Sequence, residues 1–180
     1  MMPNTPELTP KDSKDWTWTL SRACPDCGFD ASVVDPAQVP SLIEELTAPW
    51  AEVLARPEPG ARPSFAVWSP LEYACHVRDV CDLFASRTAL MRHQDNPTFP
   101  NWDQDDTARE DRYAAQDPKV VAGQLASAAY RWAQEYAGCS PQERGRTGMR
   151  SNGSPFTIAT LGAYGCHDLA HHLWDVGADR

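Results

Sequence analysis

The chain has 180 residues, a formal net charge of −9 at pH 7 and an isoelectric point near 4.9. This length supports one domain that folds without disulfides, and the acidic charge, with no dense Lys/Arg stripe, argues against nucleic-acid binding. The first 20 residues contain no apolar run typical of a signal peptide or membrane span. We therefore expect a cytoplasmic protein without membrane contact, whose six cysteines stay reduced.

Residues 1–35 show no helical periodicity, and we interpret them as an irregular N-terminal arm packed on a domain formed by residues 36–180. The arm contains a CxxC pair, Cys24 and Cys27, followed by Gly28. Such a pair can be half of a zinc site or a redox pair, but no second ligand pair with suitable spacing lies near it in the sequence. A structural turn is therefore the favoured interpretation.

Two early segments are predicted to be helical. Residues 39–56 carry apolar side chains at spacings of three and four, and Pro49 should bend this helix or restart it. A second helix should run from Ser69 to about Arg92, because the string SPLE at its start combines a capping box with proline at the first helical position.

The second half of the chain is predicted to contain two more helices. Residues 96–116 are polar and acidic, and they should form a long crossover with one short helix. Residues 117–138 begin with a cap followed by proline and end with glycine, which predicts the third helix. Turn residues at 147–154 predict a small hairpin before a last helix over residues 157–177. Together these elements predict an all-α fold, a four-helix bundle.

Three histidines form the favoured metal site. His167 and His171 are offset by about 40° around the last helix and share one face, whereas His172 is offset from His167 by about 140° and is left out. His76 is the favoured third ligand, since His93 follows the last periodic turn of its helix and should be exposed. The alternative is that the pair binds carboxylates and that His76 is a core histidine whose hydrogen bonds are satisfied. Three imidazoles would hold zinc, or else nickel or iron, with one position open.

Polar residues around these histidines are candidates for supporting roles. Three acids one helical turn from a predicted ligand could accept an imidazole N–H or handle protons: Glu72, Asp79 and Asp175. Three arginines could hold an anionic group of a substrate or cofactor: Arg109, Arg146 and Arg150. For each of the six, the alternative is an ordinary solvated surface residue.

Two strings carry a resemblance to a known family. WSPLEYACHVRDV at residues 68–80 and GCHDLAHHLWDV at residues 165–176 resemble the DinB/YfiT-like superfamily, and the resemblance spans roughly residues 38–177. It implies a bundle with an up-up-down-down course, a long crossover, and a divalent metal bound by three histidines, here His76, His167 and His171. The arm and the loop around Trp102 are similar to an actinobacterial subgroup.

The resemblance also implies a reaction class. Related bundles use a metal to activate a low-molecular-weight thiol, so we expect a metal-dependent transferase that adds such a thiol, of the mycothiol type, to a small electrophilic substrate. A metal-dependent hydrolase of a small substrate is the alternative enzyme class. A non-catalytic metal-binding protein of stress response or protein interaction is the third, and a homodimer remains an open option.

Overall fold

The structure is a computed structural model and describes residues 15–178. The helices of this part of the chain are α1 (Val39–Thr47), α2 (Trp50–Ala55), α3 (Pro70–His93), α4 (Gln104–Glu110), α5 (Pro118–Ala137) and α6 (Ile158–Asp175). The strands are β1 (Thr98–Phe99), β2 (Thr147–Arg150) and β3 (Pro155–Thr157). None of these helices combines the length and apolar character needed to cross a membrane.

Four helical rods form the bundle. The first is the pair α1 and α2, which is divided at Pro49, and the others are α3, α5 and α6. Both α1 and α3 pack against α5 and α6, so the apolar faces of all four rods meet in one core. The predicted four-helix bundle is confirmed, including its helix boundaries to within a few residues.

The start of α3 is fixed by the predicted capping box. The Ser69 hydroxyl accepts a hydrogen bond from the Glu72 N–H at 3.2 Å, and the Glu72 carboxylate accepts one from the Ser69 N–H at 2.9 Å. The Arg62 guanidinium donates two further hydrogen bonds to Glu72, which is buried. Because both oxygens of this carboxylate accept hydrogen bonds, the first turns of α3 have a defined position. His76 lies one turn further along α3.

The crossover between α3 and α5 is tied to the hairpin that precedes α6. Strand β1 pairs in parallel with β2, and β2 pairs antiparallel with β3, in the order β1-β2-β3. The predicted hairpin and the short helix in the crossover, α4, are therefore both present. This small sheet therefore ties the crossover, which follows the C-terminal end of α3, to the strand that leads directly into α6.

The described part of the N-terminal arm consists of short 3-10 helices at Trp16–Leu20 and Ala31–Val33 joined by the CxxC turn. Four of its side chains are buried in the core: Cys24, Cys27, Phe29 and Ala31. Residues 1–14 of the predicted arm lie outside the described residues. The division of the chain into an arm and a domain at residue 35 stays a prediction.

Close packing of α6 on its neighbours depends on glycine. A Cβ atom on Gly162 would lie 2.5 Å from Tyr136, and one on Gly165 would lie 2.5 Å from Trp132 and 2.8 Å from Phe84. Those aromatic side chains are themselves buried, so they have little space into which to move. We expect Gly165→Ala to lower the free energy of unfolding by about 1–3 kcal/mol, measured by urea denaturation.

Gly123→Ala is the matched control for that prediction. Gly123 is exposed on α5, and nothing lies within 4 Å of its added Cβ. This substitution should raise stability by about 1 kcal/mol, because alanine favours a helix over glycine. Equal effects of the two substitutions would contradict the proposed close packing.

A second prediction concerns the buried carboxylate of Glu72. Burial opposes its ionisation, but hydrogen bonds from Arg62 and Ser69 hold its pKa below the usual value. Since the folded-state pKa is lowered, the stabilisation is present at neutral pH and is lost as the pH falls through that pKa. Glu72→Gln should therefore cost about 1–3 kcal/mol at pH 7, and the difference from wild type should narrow below about pH 4. A difference that is constant over this pH range in urea titrations would refute the account.

Candidate metal sites

Four residues of α6 have side chains that can bind a metal, and they form two pairs that point in different directions. His167 and His171 are one i, i+4 pair, and Asp168 and His172 are a second pair, one position later. Each step along a helix turns by about 100°, so the two pairs face neighbouring sides of α6. The structure places different partners on each side.

Two groups of possible metal ligands result, each with ligand atoms within 4.8 Å of one another. The first, called the bundle site here, consists of His76, Asp168 and His172. The second, called the arm site, consists of Cys24, Cys27, His167 and His171.

The bundle site centres on one oxygen of Asp168. Its Oδ1 lies 3.4 Å from His76 Nε2 and 3.3 Å from His172 Nε2. His76 is fully buried. Among the described residues, neither of its ring nitrogens has a hydrogen-bond partner with suitable geometry, and Asp168 Oδ1 has none either. Buried polar atoms are normally paired, so the two His76 nitrogens and Asp168 Oδ1 are candidate metal-binding atoms.

A divalent metal fits this arrangement. Nitrogen and oxygen atoms that bind one tetrahedral zinc ion at about 2.0–2.1 Å lie about 3.3 Å from each other. The two separations from Asp168 Oδ1, 3.3 and 3.4 Å, match that value. Two imidazoles and one carboxylate also form a donor combination that zinc, nickel and iron accept.

Neighbouring groups hold the bundle-site side chains in place. His172 Nδ1 lies 2.7 Å from the Asp175 carboxylate, which leaves Nε2 to face Asp168. The Trp102 ring stacks on the His76 imidazole with ring centroids 5.2 Å apart. An outer carboxylate on a ligand histidine is the usual way to fix its orientation and tautomer.

The electrostatics of the bundle site favour an ionised Asp168. Burial opposes its charge, yet the facing His172 and His76 hold its pKa well below the usual range. Burial also opposes the charge of His172, but Asp168 and Asp175 raise its pKa to about 9, so this imidazole is protonated at pH 7 and must release a proton when a metal binds. Burial lowers the pKa of His76, so this imidazole is neutral and able to act as a ligand at pH 7.

The arm site brings the CxxC turn against the other face of α6. Cys24 Sγ lies 3.7 Å from His171 Nδ1, and both cysteines and His167 are buried. Burial lowers the pKa of His167 to about 4 and also lowers the pKa of His171, so both imidazoles are neutral at pH 7. The sequence contains no second ligand pair near the CxxC motif, but the fold supplies one from residues about 140 positions further along the chain.

The three histidines predicted as one metal site are thus distributed over two groups. His167 and His171 do lie on one face of α6, but that face meets the arm, whereas His76 faces Asp168 and His172. His172 was left out of the predicted site because its angle around α6 was taken relative to His167 only. Asp168 and His172 are themselves four residues apart, and this second pair is visible in the string HDLAHH.

The predicted supporting acids have different surroundings. Asp175 contacts His172 of the bundle site. Glu72 belongs to the capping box and binds Arg62. Asp79 binds the guanidinium of Arg78 at 2.7 Å and accepts a hydrogen bond from the Tyr113 hydroxyl.

The three arginines predicted to bind an anionic group also lie in different places. Arg109 is exposed on α4 and pairs with Asp106, and Arg146 donates to the Met91 and Gln94 carbonyls. Arg150 lines a cavity that Asp168 also lines.

That cavity has a volume of about 430 Å³ and lies between α3, α6, the crossover and the arm. Arg87 on α3, which sequence reasoning did not single out, contributes a second guanidinium to its wall. Carboxylates of Asp15, Asp103 and Asp105 also line it. Asp15 and Asp103 accept hydrogen bonds from backbone N–H groups at the starts of short helices.

The role of Asp175 can be tested directly. Asp175→Ala should weaken zinc binding at the bundle site about 10- to 100-fold, because His172 loses the acceptor that orients it. Zinc affinity is measured by competition with a chromophoric chelator. The control is Asp82→Ala, which removes a carboxylate of α3 that pairs with Arg131 on α5, and it should leave the affinity unchanged. Unchanged affinity in Asp175→Ala would show that this carboxylate does not support the site.

Comparisons with known proteins identify the family. No curated protein shows significant sequence similarity to this chain. Among solved structures, YfiT from Bacillus subtilis superposes with a TM-score of 0.68 and 15% identity, over 93% of this chain and 89% of that chain. YfiT is described as a probable metal-dependent hydrolase with an unusual four-helix bundle topology, and the likeness shows a shared fold. A family model for the DinB superfamily matches residues 34–176, which is most of the chain, so this protein belongs to the DinB superfamily.

Proposed function

We propose that this protein is a metal-dependent hydrolase of small anionic substrates, in which His76, Asp168 and His172 hold the metal. The observation that carries the proposal is the position of Asp168. Its carboxylate faces both imidazoles of the bundle site, and it also forms part of the cavity wall. A substrate in the cavity would therefore lie next to the metal ligands.

The number of protein ligands supports a catalytic role. Three side chains leave a coordination position for water or substrate, as in catalytic rather than structural zinc sites. When bound, a divalent metal supplies Lewis-acid activation of water at neutral pH. The chain itself keeps Asp168 ionised, orients His172 through Asp175, and covers the His76 imidazole with Trp102.

The preference for an anionic substrate rests on Arg87 and Arg150. Arg87 is buried, its Nε has no hydrogen-bond partner among residues 15–178, and one of its terminal nitrogens donates to the Pro100 carbonyl at 2.8 Å. Arg150 donates to the Asn152 and Ser154 side chains. Within the described residues, no carboxylate forms an ion pair with either guanidinium.

These two positive charges also destabilise each other. Burial and the charge of Arg150 lower the pKa of Arg87 to about 10. A carboxylate or phosphate group bound between them would remove this repulsion and accept hydrogen bonds from both guanidinium groups. The part of the cavity wall formed by Arg87 and Arg150 therefore suits an anionic group of a substrate, and the hydrolysable bond would lie beside Asp168.

The test uses the full chain loaded with zinc, nickel or, without oxygen, ferrous iron. Small esters and amides with a carboxylate or phosphate group are compared with neutral analogues, and products are separated by chromatography. We expect metal-dependent turnover of the anionic members and its loss in Asp168→Asn. Arg150→Gln should raise KM for anionic substrates about tenfold or more with little change in kcat, since it removes binding energy outside the reacting bond.

Arg131→Gln is the matched control for Arg150→Gln. Arg131 is exposed, pairs with Asp82 and does not line the cavity, so kcat and KM should both stay unchanged. Turnover that persists in Asp168→Asn would overturn the proposal. Turnover that appears only with an added low-molecular-weight thiol would instead support the thiol transferase expected from the sequence resemblance. A metal-loaded protein without turnover in either assay would favour the non-catalytic alternative.

A further inference from the structure

We propose that the arm site is a second metal site, a closed Zn²⁺ site with Cys24, Cys27, His167 and His171 as its four ligands. It is separate from the bundle site and would attach the N-terminal arm to α6. The proposal does not require the hydrolase function, because none of its ligands lines the cavity.

The distances match one ion bound by sulfur and nitrogen. With Zn–S near 2.3 Å and Zn–N near 2.0–2.1 Å, a tetrahedral site places sulfur and nitrogen about 3.6 Å apart. Cys24 Sγ and His171 Nδ1 are 3.7 Å apart, and all four ligand atoms lie within 4.8 Å of one another. Two cysteines and two histidines are also one of the usual ligand combinations of structural zinc sites.

The CxxC turn has a backbone suited to this role. The Gly28 N–H donates to the Cys24 carbonyl at 2.9 Å, and the Cys24 N–H donates to the Phe29 carbonyl at 2.9 Å. Gly28 has a φ of +72°, which glycine adopts without the steric cost that a Cβ atom brings. The turn is therefore closed on itself, and it places both cysteine side chains in the group that faces α6.

The surroundings favour a structural site over a catalytic one. Cys24, Cys27 and His167 are buried. Rings of Trp16, Phe29 and Trp174 lie beside the two imidazoles, with centroids 5.1–6.5 Å away. His167 Nε2 is buried and has no hydrogen-bond partner within residues 15–178, as expected for an atom that binds a metal. Four protein ligands leave no position for a substrate.

Such a site would have a mechanical consequence for the bundle site. His167 and His171 alternate along α6 with the neighbouring ligands Asp168 and His172. A metal that fixes the first pair also fixes the rotation of α6 about its own axis, and hence the direction of the second pair.

The first experiment counts metal in purified full-length protein by elemental analysis after zinc loading and gel filtration. Wild type should hold about two equivalents, and the double variant Cys24→Ser/Cys27→Ser about one. Asp168→Asn should also hold about one, because it removes a ligand of the bundle site only. The control is Cys139→Ser, in which the hydroxyl can replace the thiol donor to the Glu135 carbonyl, and it should keep both equivalents.

The second experiment needs only the wild type and so does not depend on a variant that folds. Cobalt-substituted protein should show sulfur-to-cobalt charge-transfer absorption in the near ultraviolet, because thiolates ligate the ion. Absence of this absorption in cobalt-loaded wild type would overturn the proposal. So would unchanged zinc content in Cys24→Ser/Cys27→Ser, or a Cys24–Cys27 disulfide found by mass spectrometry in protein purified anaerobically. Failure of the hydrolase alone would instead leave the cobalt signal and the cysteine-dependent equivalent intact.

Discussion

The rotation of about 100° per residue along α6 is the constraint on which both candidate sites depend. Four ligand residues within six positions cannot all face one point on a regular helix. They divide into His167 and His171 on one side and Asp168 and His172 on the other. The arm then supplies two cysteines to the first side, and α3 supplies one histidine to the second.

The rest of the fold keeps those partners at the right distance from α6. Gly162 and Gly165 allow α6 to approach the aromatic side chains of α5 and α3 closely. This close approach sets how deeply the ligand residues of α6 lie in the bundle. The capping box at Ser69, together with Arg62, fixes where α3 begins and therefore where His76 lies. Because helix packing and capping both act on the ligand positions, stability and site geometry are coupled in this protein.

The helices could be predicted from sequence because their signals are local. The capping box at Ser69, the break at Pro49 and the cap with proline at residues 117–118 each act within a few residues of chain. The site could be predicted only in part, because ligand grouping depends on which face of α6 meets which neighbour. A CxxC motif and two histidines about 140 positions later become one group only through tertiary packing. Arg87 was not singled out, since a buried cation within a helical pattern carries no sequence signal of the cavity beside it.

The central claim is that the ligands of α6 serve two separate centres. Anomalous diffraction at the zinc absorption edge, from crystals of the zinc-loaded full-length protein, tests this claim most directly. The account predicts two anomalous peaks, one among Cys24, Cys27, His167 and His171 and the other among His76, Asp168 and His172. A single peak ligated jointly by His76, His167 and His171 would contradict it.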